Sequence, residues 1–92
     1  MANRITEYQL RRVCDRINTI TGSPMDYMTV IDGKRVINIG NYHISGAYGG
    51  VQLQRTVNGS GGVTCPIGQG HMPKRDLYER MHAFIAGLES AK

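Results

Sequence analysis

The chain contains no tryptophan and a single phenylalanine, Phe84. Its two cysteines, Cys14 and Cys65, stand in no C-x-x-C arrangement. No apolar run approaches the ~18–20 residues of a membrane-spanning helix, and no N-terminal apolar segment reads as a secretion signal. A cytosolic location with both thiols reduced is the expectation. The spacings that zinc chemistry needs are missing too: His43, His71 and His82 form no H-x-x-x-H pair, and Cys65 with His71 supplies only two ligands. The seven acids are scattered among basic residues, so no carboxylate pair stands beside a base. Cys65 with His43 or His71 is the remaining nucleophile–base pairing. Neither glycine cluster runs on into Lys-Ser or Lys-Thr, and G-x-G-x-x-G is absent, which removes the familiar phosphate loops. These absences point away from an enzyme, and no metal or cofactor is expected.

What is present is positive charge and glycine. The 92 residues carry 11 Lys and Arg against 7 Asp and Glu, a formal charge of +4, and most of the cations are arginines. An arginine fork matches phosphates and carboxylates, so the bias suits a polyanionic or acidic partner, although the same charge also keeps a small protein soluble. Of the 12 glycines, eight lie between Gly46 and Gly70 without a period, which predicts turns there and excludes collagen-like repeats. The length has room for one domain, taken as residues 1–92.

Two helices are legible. Over residues 6–21, Thr6 and Gln9 fit a capping box, and Leu10, Val13, Cys14, Ile17 and Ile20 recur at helical spacing until Gly22 ends the run. The opposite face gathers Arg4, Arg11, Arg12 and Arg16 around Asp15. Over residues 73–90, Pro73 suits a helix start, and Leu77, Met81, Phe84, Ile85 and Leu88 form the buried stripe. Lys74 and Arg75 oppose the helix dipole there, so helix stability does not explain them.

Between the helices, Asp32-Gly33 is a two-residue hairpin signal and Gly40-Asn41 suggests a second tight turn. The two together predict a three-stranded antiparallel meander over residues 27–45. Val30 would then pair with Arg35, Met28 with Ile37, Ile39 with Tyr42 and Ile37 with Ile44. Met28, Val30, Ile37, Ile39, Tyr42 and Ile44 would share its apolar face. Residues 51–57 read either as a strand, from Val51 and Leu53, or as a short glycine-flanked helix, from Leu53 and Val57 with Asn58-Gly59 as its cap. The helix is the preferred reading. Residues 59–70 read as loop with a short strand near Val63-Cys65. The expected fold is α+β: a three-stranded meander packed against an N-terminal and a C-terminal amphipathic helix, with a short helix between.

The stretch from Asn38 to Val51, with its Gly46-Ala47-Tyr48-Gly49-Gly50 core, and the stretch from His71 to Arg80 resemble small proteins encoded in tailed-phage and prophage genomes. The size and basic character are also similar to phage anti-CRISPR proteins, in particular inhibitors of type I-F surveillance complexes. This resemblance implies a host-cytoplasmic protein that engages a ribonucleoprotein, through its protein subunits or guide RNA, and blocks target DNA. Arg11, Arg12, Arg16, Lys34, Arg35, Lys74 and Arg75 are the candidate contacts. Direct binding of DNA or RNA is the alternative, and an oligomeric protein that captures a small anionic ligand near its glycine turns is a third.

Overall fold

The computed structural model describes residues 4–68 and 70–91. Helix α1 spans Glu7–Thr21, and its capping box is formed as expected: the Thr6 side chain accepts from the Gln9 amide while Gln9 reaches back to the Thr6 amide. Gly22 closes it in the left-handed region at φ 69°. Strands β1 (Met28–Ile31) and β2 (Lys34–Ile37) follow, then β3 (Tyr42–Ala47), β4 (Gly50–Thr56) and the short β5 (Val63–Thr64). Helix α2 spans Lys74–Ser90, with Pro73 as its N-cap.

The core is where the two helices meet one sheet. Leu10 and Ile17 of α1 and Leu77 and Met81 of α2 are fully buried, and Val51 and Leu53 of β4 pack among them. Burial of each such side chain contributes about 1.5–3 kcal/mol. Both amphipathic stripes therefore lie where helical periodicity puts them, with Cys14 in the core and Phe84 and Leu88 at its margin.

The strands depart from the sequence expectation in two places. The first hairpin has the anticipated register, Val30 opposite Arg35 and Met28 opposite Ile37. The meander, however, is not formed. Strand β2 does not pair with β3; β1 and β2 make a two-stranded sheet, and β3, β4 and β5 make a separate antiparallel one. The divergence lies at Gly40, whose φ of 96° is open to glycine. Its amide donates to Thr56 O at 2.8 Å and the Thr56 amide donates to Asn41 O at 3.0 Å. The chain thus leaves β2 to join β4, and Ile44 lies opposite Leu53 instead of Ile37. Of the six residues expected on an apolar meander face, Tyr42 is buried; Val30 and Ile39 are 63% and 58% exposed.

The second correction is the segment after Gly50, which is strand and not helix. Tyr48 and Gly49 both have positive φ, 53° and 73°, the geometry of a type I′ hairpin turn, so the chain after Gly50 folds directly back on β3. Val51, Gln52 and Leu53 are all buried, which a half-exposed helix would not allow. Val57, the other half of the helical spacing, is 44% exposed. Asn58 serves a turn, its Oδ1 accepting from the Ser60 and Gly62 amides. The short strand near Val63 is present as β5.

Candidate nucleic-acid interface

The seven cations singled out in the sequence are all exposed, and they occupy separate regions. Lys34 and Arg35 begin β2 on the projecting hairpin. The Asn38 amide closes its base by donating to Tyr27 O, and Asn41 Nδ2, donating to Pro24 O, ties that base to the start of β3. Lys74 and Arg75 open α2 at the other end of β3, because Met72 bridges Val51 beside the Tyr48-Gly49 turn. The α1 arginines divide as well. Arg11 borders a crevice of about 300 Å³ with Asp15, Tyr27 and His43.

Arg12 and Arg16 stay together. One helical turn apart on α1, they line a groove of about 370 Å³ against Tyr78 and His82 of α2, with Gln9 and Val13 at its floor. The helices run side by side in the same direction, since Arg16 late in α1 meets Glu89 late in α2 at 3.1 Å. Both partners of that pair are more than half exposed, so it contributes at most about 1 kcal/mol. Tyr78 and His82 meet edge to face, ring centroids 4.5 Å apart. The Arg12 guanidinium lies 5.8 Å over the Tyr8 ring, and its Nη1 donates to Tyr8 Oη at 3.3 Å. Cations and aromatic rings therefore alternate across this face.

Sequence reasoning missed Tyr8, Tyr78 and His82. The signal was available: Tyr78 and His82 are four residues apart and lie just off the Leu77–Met81 stripe, as Tyr8 and Arg12 do on α1.

The buried Cys14 thiol is pushed up to about 12, first by desolvation and then by neighbouring Asp15, and it donates to Tyr42 O at 3.1 Å. Both His43 ring nitrogens are engaged, Nδ1 with Asn41 Oδ1 and Nε2 with Gln54 Oε1, each at 3.2 Å. The ring meets Tyr27 edge-on, which makes it a structural centre beneath the hairpin. Among the described residues no group of three His, Cys, Asp or Glu could hold a metal ion. No described helix is long and apolar enough to cross a membrane. No protein-family model, curated protein or solved structure matches the chain.

Proposed function

We propose that the chain is a non-catalytic binder of a nucleic-acid strand carried in a nucleoprotein complex, and that it acts by occupying that strand. The specific form suggested by the sequence resemblance is a phage-encoded anti-CRISPR inhibitor that sits on a host surveillance complex and keeps target DNA out. The observation that carries the reading is the α1–α2 groove. A single strand offers phosphates to Arg12 and Arg16 and base faces to Tyr8, Tyr78 and His82, and stacking of this kind contributes about 1–3 kcal/mol per base. Arg11, Lys34, Arg35, Lys74 and Arg75 then act as outlying phosphate contacts that set orientation.

Direct binding of free DNA or RNA is a second reading, favoured by the exposed Tyr8 and His82 rings, which need no protein to meet a base. Capture of a small anion near the glycine turns has less support, because Tyr48 is 98% exposed at a turn tip and encloses nothing. Affinity capture from a bacterial lysate, with and without nuclease, separates the first two readings. Recovery of a ribonucleoprotein together with weak retardation of naked strands supports the inhibitor; strong, salt-sensitive retardation of naked strands supports direct binding. Arg12→Glu with Arg16→Glu should reduce either by at least tenfold. Undiminished binding by the double variant would exclude the groove.

A further inference from the structure

The β1–β2 hairpin packs against no other helix or strand. A lone two-stranded hairpin is marginal in water, and stable small sheets have a third strand or a covered face. Beyond its base, where Ile37 and Tyr27 lie against Gly61, this one has neither among the described residues, yet it carries Met28, Val30, Ile31 and Val36 in exposed positions, on both of its faces.

The two edges of the hairpin differ in chemistry. Across a two-residue turn, Ile31 and Lys34 form the hydrogen-bonded pair, as do Thr29 and Val36. The bond from the Asn38 amide to Tyr27 O continues that alternation. Met28 and Val30 therefore aim their backbone amides and carbonyls away from β2. The β1 edge is four residues, Met-Thr-Val-Ile, without a charge, whereas β2 begins with Lys34 and Arg35. Lysine and arginine on an edge strand discourage pairing, so β2 is guarded and β1 is not.

We propose that the chain forms a twofold dimer in which β1 pairs antiparallel with β1 of a second copy, giving a four-stranded sheet ordered β2-β1-β1-β2. Pairing through β1 keeps Lys34 and Arg35 of both copies on the outer edges, whereas pairing through β2 would bring them together. An uncharged edge suits an identical uncharged edge, and the apolar side chains of both arms then form one continuous face. The inference does not depend on the groove between the helices.

Sedimentation velocity of the full chain over a range of concentrations tests it. The wild type should move as a dimer, and Val30→Pro should move as a monomer with unchanged circular dichroism. Proline at that position removes an outward amide and none of the hairpin's own bonds. Arg35→Pro, which removes the equivalent amide on the β2 edge, should leave the dimer intact. Hydrogen exchange provides a reading without substitutions: the Met28 and Val30 amides should slow as concentration rises. A monomeric wild type with fast exchange at both amides overturns the proposal, as does a dimer that survives Val30→Pro or is lost in Arg35→Pro.

Discussion

Asn18 and Tyr42 exchange two hydrogen bonds: the Tyr42 amide donates to Asn18 Oδ1 at 2.8 Å, and Asn18 Nδ2 donates to Tyr42 O at 3.0 Å. Tyr42 lies opposite Arg55 at a position whose backbone groups point away from β4. A carboxamide from α1 thus stands in for a missing neighbour strand. Asn18 is 1% exposed, so water has no access to replace it. Asn18→Leu leaves the Tyr42 amide without a partner and its carbonyl with only the weak Cys14 thiol donor, and the expected loss is about 1–3 kcal/mol. Chemical denaturation checks this; a loss below about 1 kcal/mol would show that the edge finds other donors.

Gly50 is the position most sensitive to a single methyl group. A Cβ there would sit 3.0 Å from Met72 O and 3.1 Å from Met72 N, against the backbone that bridges Val51 to the start of α2. Gly50→Ala should cost about 1–3 kcal/mol, and exchange of the Val51 and Met72 amides should accelerate selectively.

Tyr48 predicts the opposite sign. It holds φ 53° with no burial to compensate, since it is 98% exposed, its ring centroid 5.9 Å from that of His71. Asparagine is favoured at this place in a type I′ turn. Tyr48→Asn should add about 1 kcal/mol and raise Tm by several degrees, at most ~8 °C. A drop in Tm would mean that the ring contributes more than its backbone strain costs.

The two thiols should behave differently. Cys14 is buried with its pKa raised from 9.0 to about 12, whereas Cys65 is half-buried. Under native conditions alkylation should stop at one thiol, Cys65, which peptide mass mapping reads directly. Because the folded pKa lies above the unfolded one, the protonated thiol favours the fold. That contribution is complete below about pH 9 and is lost as pH rises towards 12. Cys14→Ser cannot ionise in this range, so the stability difference between wild type and variant should shift in the variant's favour at alkaline pH.

The helices and the first hairpin were legible because their signals are local: a cap, a stripe at 3.6-residue spacing, an Asp-Gly turn. Residues 38–57 were not, for a physical reason. Ile39-Gly40-Asn41-Tyr42 and Tyr48-Gly49 are both credible hairpin turns, and together they would place β2 on one edge of β3 and β4 on the other. Only the second forms: β4 brings Val51 and Leu53 into the helix-facing core, whereas on the other edge Asn18 of α1 takes the backbone groups of Tyr42 in place of β2. That comparison involves α1 and α2, which a local window cannot include. The candidate groove was half legible for the same reason. Arg12 and Arg16 share a helix, but Tyr78 and His82 reach them only through the α1–α2 packing.

The unpacked hairpin also sets a hierarchy of motions. Its strand pairing lies within residues 28–37 and engages no other element, so it can open and close without disturbing the helices or the larger sheet. Proteins with such a division unfold in separate cooperative units, and the unit with fewer buried contacts opens first and most often. In a single copy the arm should exchange its amides by local opening on a free-energy scale well below that of the Leu10–Leu77–Met81 core. Whatever covers the arm must first hold it closed, so its partner's affinity is reduced by the cost of ordering two short strands.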